Sequence, residues 1–463
     1  MMPSYLGVPA CGLAAFAALR LARIPLTAVA AVALLVGAFA LLPGAGLLGG
    51  ALLAAGATRS RARPLAAQIA IGVDEHRRPV AITLGGERGS HALIVGATGS
   101  GKTVTEALIT ARAIEAGRGA VIVDPKGDSL LRDVTRHAAA QAGREFRDWT
   151  PHGTISYNPY AHGSAAEIAD KALAGEHWSE PHYLRQAQRY LAHAARTLSA
   201  LGETPTPARL AELMDPRRLE LAARALPDEQ HSRRLFEYLD SLDARQRAGL
   251  TGTRDRLAIL AESELGPALE PRPGEAALDL LRSIRAREVV YFALEADRLP
   301  LLARMLAAAI VGDLVSVAAA CQSAPVPTLV AIDEFSAIAP EGVARLFGRA
   351  RAAGFSLLLA TQELADLRAA RAELLEQVLG NVESVIAHRQ SVPDSADLIA
   401  RIAGTRMSWR STQQLTGPLP TGRSTRTPVR EFSIHPEVIR ALPSGCAVVS
   451  GARGHAVTHI DHP

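Results

Sequence analysis

The segment "HALIVGATGSGKTVTEALI" (residues 91–109) constrains the fold more than any other part of the chain. Its centre, "GATGSGKT", matches the pattern G-x-x-x-x-G-K-[ST] at every fixed position. The apolar residues before the pattern are typical of a buried strand, and those after it recur with a helical period. A strand, a glycine-rich turn and a helix in this order predict a phosphate-binding loop in an α/β domain.

The residue types of this loop suit a nucleoside triphosphate. Glycines let backbone N–H groups approach phosphate oxygens, Lys102 brings a positive charge to the β- and γ-phosphates, and the Thr103 hydroxyl is a ligand for Mg²⁺. We therefore predict ATP and Mg²⁺ as cofactors. The predicted nucleotide contacts are Gly96, Ala97, Thr98, Gly99, Ser100, Gly101, Lys102 and Thr103.

A second apolar run, "PTLVAIDEF", ends in two acids, Asp333 and Glu334. After a phosphate loop, such a strand end predicts that Asp333 holds Mg²⁺ through water and that Glu334 acts as the general base on the attacking water. The alternative is an ordinary buried strand followed by an acidic turn. Together with the loop, this motif predicts hydrolysis of the nucleotide rather than binding alone.

Two further strand-like runs end in polar residues. "AVIVDPKGD" ends in Asp124 and Lys126, and "FSLLLATQE" ends in Thr361 and Gln362. The carboxyl ends of parallel strands line one crevice, so four strand ends are expected to converge on one nucleotide. Gln362 is then placed to sense the γ-phosphate. Either segment alone would more often be a loop.

The amino-terminal part of the chain is predicted to anchor it in a membrane. Residues 24–57 contain no charged side chain, whereas a single span needs about 20 apolar residues. The interruption "LLPGAGLLGG" favours a hairpin of two spans, with one span as the alternative. Arginines on both sides (residues 20 and 23, then 59, 61 and 63) place both ends in the cytoplasm. A cleaved signal peptide has a shorter apolar region than this one.

Composition excludes few functions. The formal net charge of +4 is weak evidence for a nucleic-acid partner, because an arginine- and alanine-rich chain is also typical of a GC-rich genome. Cys11, Cys321 and Cys446 are far apart, without a CxxC pair, so neither a zinc site nor a disulfide framework is predicted. With 48% hydrophobic residues the chain can form a sizeable core.

The interval between Thr103 and Asp333 is too long for one crossover between strands, and residues 161–285 have helical patterns. "PTPARLAELM" has the residues of a helix start. "YLRQAQRYLAHAARTLSAL" places one apolar stripe on a helix, formed by Leu184, Ala187, Leu191, Ala194 and Leu198. We predict an inserted all-α subdomain.

The motifs, taken together, resemble a known family. In order from about residue 88 to 390 the chain contains the phosphate loop, "VIVDPKGD", "WTPHGTISYNPY", "LVAIDEFSAI", "GRARAAGFSLLLATQELADL" and "VLGNVESVIAHR". They resemble those of the type IV coupling proteins, the TraG/TraD group of hexameric, membrane-anchored, DNA-pumping ATPases related to the FtsK and HerA translocases. "GCAVVS" resembles the family's closing strand. The combination of D-P-K-G, Y-N-P and A-T-Q is more specific than the loop alone.

The resemblance implies an α/β fold: a RecA-like P-loop NTPase motor domain with an inserted all-α subdomain and an amino-terminal transmembrane segment. The expected divisions are a membrane anchor at residues 1–58, the motor domain at 59–160 and 286–463, and the insertion at 161–285. It also implies a ring of six subunits in which an arginine of one subunit completes the site of its neighbour. That residue matches Arg351, with Arg349 as second choice. The alternative for both is a solvated helix face.

The expected function is that of a DNA translocase driven by ATP at the inner membrane, with its motor in the cytoplasm. It would couple DNA or a relaxase–DNA complex to a conjugative or type IV secretion channel. The expected partners are DNA bound without sequence preference, the relaxase or relaxosome, channel proteins and the membrane. Two alternatives stay open: an ATPase that moves protein substrates, and a nucleotide-binding membrane scaffold without productive hydrolysis.

A basic segment near the end, "GTRMSWRSTQQLTGPLPTGRSTRTPVREF" (residues 404–432), contains five arginines, at 406, 410, 423, 426 and 430. It could contact phosphates, and Trp409 is its candidate for base stacking. Its content of Ser, Thr, Gly and Pro instead favours a flexible surface loop.

Overall fold

The structure is a computed structural model that describes residues 68–85, 89–175, 178, 180–271, 274, 276–416, 419–452 and 454–463. The predicted membrane anchor at residues 1–58 lies outside the described residues. Cys321 and Cys446 are both buried free thiols.

Fifteen strands are present in the described ranges. They are β1 Gln68–Asp74, β2 Pro79–Thr83, β3 Ala92–Val95, β4 Gly119–Asp124, β5 Phe146–Trp149, β6 Ser156–Tyr157, β7 Ala277–Leu278, β8 Val289–Ala293, β9 Thr328–Ile332, β10 Phe355–Thr361, β11 Ser384–Ala387, β12 Thr405–Thr416, β13 Leu419–Phe432, β14 Cys446–Gly451 and β15 Gly454–Ile460.

Eleven of these strands form one mixed sheet, in the order β2-β1-β15-β14-β11-β3-β10-β9-β4-β8-β5. From β11 to β5 every neighbouring pair is parallel, whereas β14, β15, β1 and β2 pair antiparallel. The strands β3, β4, β8, β9 and β10 are buried along their whole length, as continuous apolar runs in a parallel sheet require. The predicted α/β fold is confirmed.

The helices of the described residues are α1 Lys102–Glu115, α2 Ser129–Gln141, α3 Ala165–Leu173, α4 Pro181–Ala200, α5 Pro207–Leu213, α6 Pro216–Arg224, α7 Glu229–Asp240, α8 Ala244–Gly249, α9 Thr251–Glu262, α10 Gly266–Leu269, α11 Leu280–Arg285, α12 Pro300–Cys321, α13 Phe335–Ile338, α14 Pro340–Ala353, α15 Leu364–Ala370, α16 Leu374–Asn381, α17 Pro393–Ala403 and α18 Pro436–Arg440.

Helices α3 to α10 follow one another between β6 and β7; α3 to α7 and α9 share a core of their own, whereas α10 packs into the main core. On α4 the stripe predicted from the sequence is buried at Ala187, Leu191, Ala194 and Leu198 and half-buried at Leu184. The segment predicted to be all helical also contains the two-residue strand β7. It pairs with β6, with Tyr157 opposite Leu278, and so joins the entry and the exit of the helical segment.

A buried charge cluster connects this helical segment to α12. The Lys171 ammonium lies 2.7 Å from Asp313 Oδ1, and the Tyr157 hydroxyl donates to Asp313 Oδ2 at 2.8 Å. Lys171 and Asp313 are 2% and 0% exposed. Since an unpaired charge would be costly there, each of the two depends on the other.

Helix α12 is the one described helix that is long and apolar enough to cross a membrane by length and composition. Of its most apolar window, 78% is buried inside the fold. It packs with α14 beneath the sheet, and residues such as Leu306, Ile310 and Leu314 belong to the main core. Its hydrophobicity therefore belongs to the core of the domain.

Two expectations about the end of the chain are wrong. The basic segment is not a loop, because β12 and β13 form a long antiparallel ribbon whose register begins with Thr405 opposite Phe432. The segment is rich in threonine, whose polar side chain is common in loops. Threonine is also β-branched, however, and such side chains pair well across antiparallel strands. The strand β14 does not close the sheet either, since β15 pairs antiparallel with it and continues to β1.

Candidate active site

The phosphate loop lies between β3 and α1, and its backbone is tied to three neighbouring segments. The N–H groups of Gly96 and Ala97 donate to the carbonyls of Thr361 and Arg389, and the Gly445 N–H donates to the Ser100 carbonyl at 3.2 Å. These bonds hold the loop at the carboxyl ends of β10 and β11. The loop is therefore shaped before any ligand binds.

Two glycines of the loop are required by space and by backbone conformation. A Cβ at Gly96 would lie 2.8 Å from the Cβ of His388, which no real pair of such atoms tolerates. Gly101 has φ 105°, in the left-handed region that favours glycine. Gly101 immediately precedes α1, whose first N–H groups have no partner within the helix and attract anions.

Lys102, the first residue of α1, joins the loop to the acids that follow β9. Its ammonium lies 2.6 Å from Asp333 Oδ1 and 3.0 Å from Glu334 Oε1. Burial would lower the pKa of Lys102, but the two carboxylates raise it. Burial raises the pKa of Asp333 against the attraction of Lys102. All three side chains are almost fully buried, so the interaction is weakly screened.

Three side-chain donors lie around one oxygen of Glu334, Oε1. Besides Lys102, the Gln362 amide donates to Oε1 at 2.9 Å, and the Lys126 ammonium lies 3.4 Å from it. Burial would raise the pKa of Glu334, but Lys102, Gln362 and Lys126 together hold it below its usual value, so the carboxylate is ionised at neutral pH. Its backbone is left-handed, with φ 47°, a conformation that concentrates at functional sites.

Asp124 lies at the same edge but has a structural task. Its carboxylate accepts the backbone N–H groups of Lys126, Gly127 and Asp128 and the Tyr291 hydroxyl. Both carboxylate oxygens of Asp124 accept hydrogen bonds from these donors, and the side chain is fully buried. Asp124 thus shapes the turn that presents Lys126 to Glu334.

Two residues of the site were missed from the sequence. His388, at the end of β11, accepts at Nε2 from the Thr105 hydroxyl at 2.9 Å and donates from Nδ1 to the Cys446 carbonyl at 3.0 Å. Burial lowers its pKa to about 4, so the ring is neutral. The sequence offered one sign of this residue, a polar side chain at the end of an apolar run in "VIAH". That sign could not be connected to the site, because only the pairing of β11 with β3 brings His388 next to the phosphate loop.

Glu106 lies one helical turn after Lys102 and is fully buried. Neither of its carboxylate oxygens has a hydrogen-bond partner among the described residues. Burial, together with the nearby Asp333 carboxylate, raises its pKa well above the usual value and so favours the protonated form. Nothing in the sequence distinguishes this residue from an ordinary helix-surface glutamate.

The two predicted finger arginines do not lie with the other site residues. Arg351, near the end of α14, donates to the Asn381 carbonyl at 2.9 Å and lies 3.4 Å from Glu383. Both contacts are at the amino ends of β10 and β11, whereas the loop is at their carboxyl ends. Arg349 pairs instead with Glu167 at 3.3 Å.

The residues present suit Mg²⁺ bound together with a nucleotide. Thr103 and Asp333 supply oxygen donors, which hard divalent cations prefer. No group of three His, Cys, Asp or Glu residues in the described ranges could hold a metal alone. Nucleotide-site Mg²⁺ does not need one, because it keeps waters and substrate phosphates as ligands.

Two family models match separate parts of the chain. Residues 69–253 match the family model of the central domain of the helicase HerA. Residues 327–444 match the model described as the TraM recognition site of TraD and TraG. No curated protein matches the sequence at a significant level.

Several solved structures share the fold. The bacterial conjugative coupling protein TrwBdeltaN70 is 17% identical, with 88% of this chain and 91% of that chain covered and a TM-score of 0.61. TrwB in complex with ADP and Mg²⁺ is 18% identical, with 81% and 86% covered and a TM-score of 0.59. VirB4 of Thermoanaerobacter pseudethanolicus is 13% identical, with 86% and 97% covered and a TM-score of 0.57. Two separate parts of this chain are thus similar to the HerA central domain and to the TraM recognition site of TraD and TraG, and its fold is shared with the conjugative coupling protein TrwB.

Proposed function

We propose that the chain is an ATP-driven DNA translocase that couples DNA, or a relaxase–DNA complex, to a conjugative or type IV secretion channel. One observation carries the proposal: Lys102, Asp333, Glu334 and Gln362 form one hydrogen-bonded cluster beside the phosphate loop. A protein that only binds nucleotide has no need of an ionised, positioned glutamate there. The resemblance to a protein titled a conjugative coupling protein supports the choice of cargo.

Each residue of the cluster has a distinct role in this proposal. The loop N–H groups and Lys102 would bind the phosphates of ATP, and Thr103 and Asp333 would hold Mg²⁺, which would supply positive charge to the phosphates. Glu334 takes a proton from the attacking water, and its lowered pKa means that the carboxylate is already deprotonated at neutral pH. Gln362 orients Glu334 through the bond to Oε1 and senses the γ-phosphate.

A ring of six subunits accounts for the position of Arg351. Phe355 and Thr361 are the two ends of β10, about 20 Å apart at roughly 3.3 Å per residue. Arg351 lies near the Phe355 end, too far to reach its own loop. In a head-to-tail ring it would serve the neighbouring site, where an arginine stabilises the charge of the transition state.

We further propose the division of the chain into a membrane anchor at residues 1–58, a motor domain at 59–160 and 286–463, and a helical insertion at 161–285. An anchor with both ends in the cytoplasm would hold the ring at the inner membrane next to a channel. The match to a model named for TraM recognition supports a relaxosome protein as a partner.

The test is ATP turnover by the full chain, without DNA and with single- or double-stranded DNA, across a series of salt concentrations. Lys102→Ala serves as the blank. The proposal expects turnover that DNA stimulates and that salt suppresses, because phosphate contacts release counterions. Turnover indifferent to DNA would favour a protein-moving ATPase. Binding of ATP with no turnover in any assembled state would favour the scaffold.

A further inference from the structure

The ribbon formed by β12 and β13 (Thr405–Phe432) carries the net charge of the entire protein. It contains five arginines and one acid, Glu431, which gives it a formal charge of +4. The chain as a whole has 50 basic and 46 acidic residues. Outside the ribbon this leaves 45 basic and 45 acidic residues, whose charges cancel. The two strands pair only with each other and do not join the main sheet. The excess charge is thus concentrated on one projecting element.

The two faces of the ribbon differ in chemistry. Residues directly opposite each other in an antiparallel pair share a face. One face therefore carries the pairs Met407–Arg430, Trp409–Pro428 and Ser411–Arg426. Trp409 and Met407 are 67% and 62% exposed, against the almost complete burial of apolar residues in the core. The exposed indole thus lies opposite Pro428, between Arg426 and Arg430, on a face that we name the Trp409 face.

The arginines of the ribbon are poorly neutralised. Within the described ranges, Arg406, Arg426 and Arg430 have no carboxylate within salt-bridge distance, and Arg410 has only Glu431 at 4.0 Å. Arg406, Arg410 and Arg430 also line a groove of about 770 Å³ at the base of the ribbon, whose lining includes the acids Asp74, Glu75 and Glu431 as well. Some arginines elsewhere do pair with an acid at short range, as Arg132 does with Asp148 at 2.6 Å. The ribbon is thus built to meet an external anion.

We propose that the ribbon is a binding site for single-stranded DNA, with its arginines on backbone phosphates and Trp409 stacked on an unpaired base. This inference rests on the proposed function and assigns a contact surface for its cargo. Arg426 and Arg430 lie on one strand and one face, about 14 Å apart at 3.4 Å per residue, so they form a row that an extended polyanion can follow. Every base has a π-face, so an exposed indole needs no particular sequence.

An acidic protein segment is the competing occupant, and the Trp409 face favours the nucleic acid. A carboxylate-rich peptide would be held by the arginines alone and would leave the indole exposed. Single-stranded nucleic acid uses both features, since stacking on aromatic side chains and phosphate contacts are the two sources of its binding energy. Duplex DNA would use the arginines but offers no free base face.

The experiment measures binding of a fluorescent single-stranded oligonucleotide and its duplex to the full chain by anisotropy, without nucleotide and at several salt concentrations. The ribbon variant replaces Arg406, Arg410, Arg426 and Arg430 with Gln. The control variant replaces Arg217, Arg233, Arg234 and Arg245 with Gln; these four are exposed and lie on the helical segment. Both variants lose the same net charge. Trp409→Ala and Trp409→Phe test the indole, and a poly-glutamate peptide tests the protein alternative.

We expect the ribbon variant to weaken single-strand binding at least tenfold and to reduce the salt slope by about 0.7 for each phosphate that the protein no longer neutralises. The control variant should keep most of the affinity. Trp409→Ala should weaken single-strand binding about 5- to 100-fold with little effect on duplex, and Trp409→Phe should restore much of it. Trp409 and these arginines lie outside the core, so we expect the variants to keep the melting temperature of the wild type. An unchanged melting temperature would exclude a folding defect as the cause of weaker binding.

Equal losses of affinity in the ribbon and control variants would overturn the assignment. So would poly-glutamate binding that is as tight as that of DNA and is abolished in the same variant, which would identify a protein partner. A ribbon effect without any effect of Trp409→Ala would overturn the single-strand assignment. Because binding is measured without ATP, the two proposals fail separately. If the ribbon variant binds DNA more weakly but DNA does not stimulate ATP turnover, the proposed translocase function is contradicted. If DNA stimulates turnover but the ribbon variant binds DNA as the wild type does, the proposed binding site is contradicted.

Discussion

The ammonium of Lys102 and the carboxylate of Asp333 lie 2.6 Å apart, although 231 residues separate them in the chain. This ion pair connects the start of α1 to the end of β9 and places a cation between the two acids of the site. The phosphate loop and the hydrolytic acids are therefore coupled electrostatically without a ligand. A substitution of Lys102 therefore changes the electrostatic environment of Asp333 and Glu334, and a substitution of either acid changes that of Lys102.

Lys102→Ala should affect stability as well as turnover. Removing the ammonium leaves two nearly buried carboxylates without their main counter-charge, which costs roughly 3 kcal/mol of the free energy of unfolding. Urea unfolding of the nucleotide-free protein measures this loss. Adding Asp333→Asn to Lys102→Ala should recover part of it. An unfolding free energy equal to that of the wild type would contradict the coupling.

Glu334→Gln should bind ATP and fail to turn it over. The amide keeps the size of the side chain but cannot accept a proton from water, so turnover should fall by at least about 10²-fold. Filter binding of labelled ATP and a phosphate-release assay separate the two steps. Glu341→Gln, on α14, is the matched control and should behave as the wild type. Normal turnover in Glu334→Gln would remove this residue as the base.

Arg351→Ala should leave ATP binding by a single subunit intact and reduce turnover by the assembled ring about 10³-fold. Its contacts with Asn381 and Glu383 are surface contacts, so folding should change by less than about 1 kcal/mol. Mixing this variant with Glu334→Gln subunits tests the role directly, because sites at some mixed interfaces regain both an intact base and an intact arginine. Arg368→Ala, with a comparable exposed pair, is the control. Wild-type turnover would refute the finger assignment.

His388 should make stability depend on pH. Its pKa is about 4 in the folded protein and 6.5 when unfolded, so between these values the unfolded chain binds more protons. The unfolding free energy should fall by up to about 3 kcal/mol as pH drops from 6.5 to 4. Denaturant titrations of wild type and His388→Gln at several pH values isolate this contribution, because the other histidines act equally in both. Parallel curves would contradict it.

Lys171→Met should destabilise the junction between α3 and α12. The substitution leaves the fully buried Asp313 with only the Tyr157 hydroxyl and the His162 ring as partners, at a cost of about 3 kcal/mol. Urea unfolding measures the change, and Lys171→Met combined with Asp313→Leu should recover much of it. Lys126→Met removes a lysine that is about half exposed, so its effect on stability should be much smaller. Similar destabilisation in the two single variants would argue against a special role for the buried pair.

Local patterns predicted much of the sheet. The strands β3, β4, β9 and β10 lie where the sequence indicated them, because a parallel strand buried on both faces is a continuous apolar run. The phosphate loop was equally visible, since its glycines and Lys102 form a short contiguous motif. The β12–β13 ribbon was missed because threonine and serine are compatible with both loops and exposed strands.

The sequence by itself determined the loop, the strand ends and their order along the chain, all of which depend on short-range constraints. Only the tertiary structure decided which strands are neighbours, and the order β11-β3-β10-β9-β4 brings Lys102, Asp333, Gln362 and His388 to one edge. It also used Asp124 to form the turn after β4, buried the Glu106 carboxyl without a hydrogen-bond partner among the described residues, and set Arg351 at the opposite edge of the sheet. These outcomes depend on burial and on pairings between residues hundreds of positions apart, which no local pattern encodes.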